Sequence, residues 1–108
     1  MKFFAKARRK AGTMNGTESK YALLLDSQKQ TGQIFDFYFE AVTLKIATDC
    51  RYTPDFMVIT KDLEVEFHEV KGYWMDDAKV KIKVASAKFP FRFVAVQLKK
   101  KEWVFEEF

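Results

Sequence analysis

Apolar and polar residues alternate through "QIFDFYFEAVTLKI": Phe35, Phe37 and Phe39 fall on one side, Asp36, Tyr38 and Glu40 on the other, and Val42, Leu44 and Ile46 continue the run. A period of two marks a strand with one face on a core. The stretch therefore predicts one long strand or a bent hairpin, with the three phenylalanines in the core. "YTPDFMVIT" and "LEVEFHEVK" read as two more strands joined around Lys61 and Asp62, and "FRFVAVQL" as a last strand after Pro90. Together they predict a single four-stranded sheet.

Upstream the period changes. In "TESKYALLLDSQKQTG", Glu18, Tyr21, Ala22 and Leu25 recur at i, i+3, i+4 and i+7, which predicts a helix from about Thr17 to Thr31. Asn15, Gly16 and Thr17 are cap-forming types at its start, and Gly32 is placed to stop it. Glu18 falls within the apolar stripe, where a carboxylate costs free energy unless a cation or a hydrogen-bond donor receives it. "DDAKVKIKVASAKF" fits both periods, because Val80, Ile82 and Val84 alternate with lysines while Val80, Val84 and Ala87 share a helical face. Asp76 and Asp77 at the positive end of a helix dipole, the length of the run and the sheet's need for a second cover all favour a helix. The chain thus predicts one α/β domain over 17–108 behind a basic arm over 1–16, with no repeat or linker.

A chain of 108 residues, 48% hydrophobic and 17% aromatic with only four Gly and two Pro, has the makings of one folded core and excludes a disordered or collagen-like chain. The net charge of +4 points mildly to a polyanionic partner. Its distribution is more specific: Lys2, Lys6, Arg8, Arg9 and Lys10 crowd the arm, Lys79, Lys81, Lys83 and Lys88 the second helix, and Lys99, Lys100 and Lys101 are consecutive. Each cluster reads either as a solvated face or as a phosphate contact. Cys50 is the only cysteine, which leaves no intramolecular disulfide and no zinc cluster. No run suits a signal peptide or a membrane span, so a cytoplasmic protein without a membrane partner is expected.

Against this frame Asp55, Glu69 and Lys71 are out of place, being ionisable residues in otherwise apolar strands. If the turn is centred near Lys61 and Asp62, antiparallel pairing sets Asp55 opposite Glu69 or one residue away. Facing side chains in such a pair start roughly 4.5 to 5.5 Å apart, within reach of one hard divalent cation. Alternation puts Lys71 on the face of Glu69, where an ammonium can orient or help deprotonate a water, or neutralise charge on a phosphorane-like transition state. The cation would lower the pKa of a bound water and polarise the phosphate. Glu18 could complete the set. The same alternation turns His68 away. Trp74 is as consistent with a lid on the core as with stacking on DNA, Lys79 and Lys83 are candidate phosphate contacts, and Gln97 is a possible water or DNA contact.

Glu18, Pro54-Asp55 and Glu69-Val70-Lys71, in that order, resemble the signature of the PD-(D/E)XK nuclease superfamily. "YTPDF" with "EVKGYW" resembles the bacteriophage endonuclease I type of Holliday-junction resolvase, and "ESKYALLLDSQKQTGQI" with "PDFMV … HEVKG" a related family of small phage and prophage proteins. The resemblance spans about Glu18 to Gln97. It implies a restriction-endonuclease-like αβββαβ core with a mixed four-stranded sheet flanked by helices. It implies that Asp55, Glu69, the Val70 carbonyl and Glu18 hold Mg2+ or Mn2+, and that Lys71 is the catalytic lysine. It further implies hydrolysis of DNA at four-way junctions by a homodimer in the cytoplasm of a bacterial host. Beside such a site, Trp74, Lys79 and Lys83 are the candidate DNA contacts by residue type and position, and Arg8, Arg9 and Lys10 of the arm would either order on DNA or exchange between subunits. A non-cleaving DNA-structure-binding module, and a nuclease that nicks duplexes or trims ends, are the alternatives.

Overall fold

The computed structural model describes residues 12–71 and 76–108. The first helix, α1 (Gly16–Gln30), begins where the cap residues predict. The Asn15 side chain accepts from the Glu18 N–H at 2.8 Å, and the Glu18 carboxylate accepts from the Asn15 N–H at 2.9 Å. This reciprocal capping box satisfies two donors that the first turn leaves unpaired. It also explains a glutamate in the apolar stripe. At the other end Gly32, at φ 81, takes the left-handed conformation that stops the helix.

The chain then enters β1 (Ile34–Phe39), but the strand is neither long nor regular. Ile34 pairs with Thr60 and Asp36 with Ile59, so a bulge absorbs Phe35. Alternation resets there: Ile34, Phe37 and Phe39 pack on the core, while Phe35 is turned out. The expectation of three core phenylalanines is corrected to two, because a single extra residue reverses which side faces in.

β1 ends at Phe39, and the next residue, Glu40, turns the chain off the sheet at a φ of 49. β2 (Leu44–Ala47) and β3 (Cys50–Tyr52) form a separate two-stranded antiparallel sheet. β4 (Phe56–Thr60) and β5 (Val65–Lys71) follow as the expected antiparallel pair. The second helix, α2 (Asp76–Lys88), carries the chain over to β6 (Arg92–Lys99), which lies parallel to β5. β7 (Glu102–Glu107) closes the sheet antiparallel to β6.

The result is an α/β fold with a mixed five-stranded sheet in the order β1-β4-β5-β6-β7. The expected four strands are one too few because β7 was not anticipated. Its hairpin turns on Lys100 and Lys101, both at positive φ (50 and 66). A two-residue turn with both φ positive is normally announced by Asn-Gly or Gly-Gly, and two lysines in a run of three carry no such signal.

Each face of the sheet has its own core. On one face Tyr21 and Leu25 of α1 pack with Phe56, Val58, Val70, Val94 and Val96. On the other, Ile82 and Ala85 of α2 and Ile46 and Tyr52 of the small sheet pack with Phe67, Phe93 and Ala95. A fully buried side chain of this size contributes about 1.5 to 3 kcal/mol, so Phe56 and Phe93, both at 0% exposure, are principal anchors. The inward stripe of α2 is Ile82 and Ala85 with Phe89, not Val80, Val84 and Ala87, which are exposed. Among the described residues no helix is long and apolar enough to cross a membrane.

Candidate catalytic site

Phe56 pairs with His68, and the same register extended by one residue sets Asp55 opposite Glu69. Side-chain bonds tie the two residues together. The Val70 N–H donates to Asp55 Oδ2 at 2.8 Å, so the Asp55 carboxylate stands where the ladder would otherwise offer a carbonyl. The Asp55 N–H in turn donates to Glu69 Oε1 at 3.3 Å, a long bond. Both side chains are buried, Asp55 at 1% and Glu69 at 6% exposure.

Lys71 shares the face of Glu69, as alternation predicts, and its Nζ lies 2.9 Å from Glu69 Oε2. The parallel register adds Gln97 beside Lys71 and the small Ala95 beside Glu69. With both acids ionised and the lysine protonated, Asp55, Glu69 and Lys71 carry one net negative charge in a largely buried place. Charge of that kind is costly unless it is solvated or paired.

Tyr52 was not foreseen as part of this cluster. Its hydroxyl donates to Glu69 Oε1 at 2.8 Å. Burial first, then the Glu69 charge and hydrogen bond, push the phenol far above its ordinary range, so it stays a donor. The only signal in the sequence was a hydroxyl-bearing aromatic at the start of the run that leads into Pro54-Asp55, and that is too common to assign a role.

Val70 directs its side chain into the α1-side core, leaving only its backbone at the site. Glu18 is buried at 2% exposure but belongs to α1, which packs on the opposite face of the sheet from Glu69. Its carboxylate is engaged by the Asn15 N–H. Among the described residues no three His, Cys, Asp or Glu side chains are grouped so as to hold a metal ion. The structure thus brings Asp55, Glu69 and Lys71 together, and does not gather Glu18 with them as a third metal-binding acid.

Of the expected DNA contacts, Lys83 is exposed on α2, and Lys79 approaches Glu106 of β7 at 3.9 Å. Arg8, Arg9, Lys10 and Trp74 lie outside the described residues.

His68 faces away from Glu69, as alternation predicts. It lies at 8% exposure on the α1 side, with Nδ1 2.6 Å from the Tyr21 hydroxyl and Nε2 3.0 Å from Glu66 Oε1. A carboxylate can only accept, so Nε2 carries a hydrogen, and in the neutral ring Nδ1 accepts from Tyr21. Glu66 is also bonded by Arg92 Nη1 at 3.0 Å, and Arg92 Nε donates to Glu107 at 2.7 Å.

The donor set suits a hard divalent cation in its chemistry: two carboxylates on facing strand positions, both oxygen ligands and together in excess over the one lysine. No family model matches the chain, and neither a curated protein nor a solved structure matches it.

Proposed function

We propose that the chain is a metal-dependent DNA endonuclease of the PD-(D/E)XK kind, built on a restriction-endonuclease-like core and hydrolysing phosphodiester bonds in branched or structured DNA. The observation that carries this is the convergence of Asp55, Glu69 and Lys71 at one end of the β4-β5 pair. The order α1-β1-β4-β5-α2-β6 is consistent with it once the small β2-β3 sheet is set aside as an insertion.

Asp55 and Glu69 would hold Mg2+ or Mn2+, with the Val70 carbonyl as a further oxygen. The ion supplies Lewis-acid polarisation of the phosphate and makes water a better nucleophile. Glu69 is fixed for this by the Tyr52 hydroxyl, and Asp55 by the Val70 N–H. Lys71 holds its ammonium beside Glu69, where it can orient the attacking water and offset the negative charge that builds on the phosphate oxygens as the water oxygen bonds to phosphorus and the bond to the leaving sugar oxygen breaks. Glu18, whose carboxylate accepts from the Asn15 N–H, has a structural role as half of the capping box. Cutting a four-way junction symmetrically calls for two active sites, hence a homodimer, and a phage or prophage protein would act in the host cytoplasm.

The test is a cleavage panel of a four-way junction, a flap, a linear duplex and a single strand, each with Mg2+ and with EDTA. Cleavage of the junction or flap that EDTA abolishes is expected. Cleavage confined to duplex or to ends would favour nicking or trimming. The non-cleaving alternative is favoured by one observation, the ion pair that occupies Glu69 Oε2. Junction binding without cleavage, together with no heat of Mn2+ binding, would establish it.

A further inference from the structure

The small β2-β3 sheet carries an arrangement that folding alone does not call for. Lys45 pairs directly with Arg51 across its two strands. Leu44, Ile46, Cys50 and Tyr52 pack inward, so the two cations project together from the outer face, and both are exposed. Like charges directly opposite one another on a strand pair are destabilising. No carboxylate lies within ion-pair distance of either cation among the described residues. The one acid of the hairpin, Asp49, stands at its turn.

The hairpin that carries this pair is tied to the rest of the fold. Lys81 of α2 donates to the Arg51 carbonyl at 3.2 Å, and Thr43 and Thr53 clasp the base of the hairpin through their hydroxyls at 2.7 Å. The residue after Arg51 is Tyr52, whose hydroxyl is bonded to Glu69. A pair of exposed cations that no carboxylate neutralises, among the residues whose side chains are described, matches the repeated anionic charge of a nucleic-acid backbone.

We propose that the outer face of the β2-β3 hairpin, centred on Lys45 and Arg51, binds the phosphate backbone of the DNA on which the enzyme acts. The substrate assignment rests on the nuclease function proposed above; the surface itself rests on the hairpin geometry. Phosphates would relieve the repulsion between the two side chains, which links the stability cost of the pair to binding. Base identity is not read there.

The experiment measures binding of a fluorescein-labelled four-way junction and a duplex in EDTA across a salt series, with wild-type cleavage in Mg2+ measured alongside. Lys45→Gln/Arg51→Gln should bind between about ten- and a hundredfold more weakly at 0.1 M salt, with the slope of log affinity on log salt shallower by about 2, as expected for two lost phosphate contacts. Lys45→Glu creates an opposite-charge pair with Arg51. It should melt no lower than wild type yet bind DNA more weakly, which separates loss of contact from loss of fold.

Wild-type affinity and slope in both variants would overturn the proposal, and if wild type still cuts DNA the nuclease function would stand without it. Hairpin-dependent binding by a protein that cuts nothing would do the reverse. A wild type that binds vesicles of anionic lipid but neither DNA would also overturn it.

Discussion

His68 and Glu69 are neighbours on β5, yet they belong to two different polar clusters on opposite faces of the sheet. The His68 cluster is a chain of alternating partners, Tyr21, His68, Glu66, Arg92 and Glu107, running from the α1 core to solvent. Acid and base alternate along it. Among the described residues the Glu69 cluster has two acids, Asp55 and Glu69, beside Lys71, and its hydrogen bonds include those from Tyr52 and from backbone. Both clusters hold two carboxylates for one Lys or Arg among the described residues, but Arg92 and Glu107 are more than half exposed and solvated, whereas Asp55 and Glu69 are buried, where a surplus of one sign detracts from stability unless something further binds. One strand thus serves structure on one face and, by the proposal, chemistry on the other.

The sharpest way to break this contrast is at the surplus itself. Asp55→Asn and Glu69→Gln should each lower cleavage by about a hundredfold or more, corresponding to about 3 kcal/mol or more of transition-state stabilisation. Melting temperatures should stay within a few degrees of wild type, because each amide oxygen can still accept the bonds from the Val70 N–H or the Tyr52 hydroxyl. Alanine is the wrong probe. Asp55→Ala would strand the Val70 N–H and cost about 1 to 3 kcal/mol for an unsatisfied buried donor. Undiminished cleavage by Asp55→Asn would remove Asp55 from the site.

The opposite cluster should respond in the opposite sense. His68→Ala deletes a buried ring bonded at both nitrogens and is expected to destabilise by about 2 to 4 kcal/mol. Tyr21→Phe removes one hydroxyl and should cost about 1 to 2 kcal/mol. Urea unfolding gives both numbers. Cleavage per folded molecule should be unchanged, and a fall of more than a few-fold in Tyr21→Phe would show that the two faces are coupled.

Much of this contrast was legible in the sequence because it depends on a period of two. Once the β4-β5 turn was located, alternation alone put Glu69 with Lys71 and His68 against them, and pairing put Asp55 opposite Glu69 or one residue away, which the register resolves to opposite. The partners on the other face were not legible. Tyr21 and Arg92 come from distant elements, and nothing local ties them to His68 or Glu66. Glu18 was read as a misplaced acid when the residue three before it, Asn15, already explained it as one half of a capping box. The bulge at Phe35 and the lysine turn before β7 escaped for a shared reason: neither has the Gly, Asn or Pro that usually announces a break in pairing. Such breaks are imposed by tertiary packing.

The His68 cluster also makes a pH signature that the Glu69 cluster need not share. The hydrogen bond from His68, and then those from Arg92, hold the Glu66 carboxylate below its ordinary 4.5, with burial opposing. The ionised form is therefore favoured in the folded state. Its contribution is fully present above pH 4.5, where the unfolded chain is also ionised, and is lost as pH falls through the depressed folded value. Unfolding free energies measured between pH 6 and pH 3 should fall less steeply in Glu66→Gln than in wild type. Parallel curves would mean that Glu66 is no better held in the folded protein than in the unfolded one.

The smallest effect should lie at the solvent end of the same chain. Glu107 receives Arg92 in a two-pronged bond, Nε to Oε2 at 2.7 Å and Nη2 to Oε1 at 3.3 Å, but both side chains are more than half exposed. An exposed pair of this geometry is worth about 0 to 1 kcal/mol and is screened by salt. Glu107→Gln should therefore cost less than about 1 kcal/mol, and the difference from wild type should shrink further in 0.5 M NaCl. Arg92 would still hold Glu66, so the buried part of the chain should keep its strength, and Glu66→Gln should have nearly the same effect in the Glu107→Gln background as in wild type. A coupling between the two substitutions of more than about 1 kcal/mol would instead show that the exposed carboxylate aligns Arg92 for the buried one, and that the structural face of β5 depends on its outermost bond.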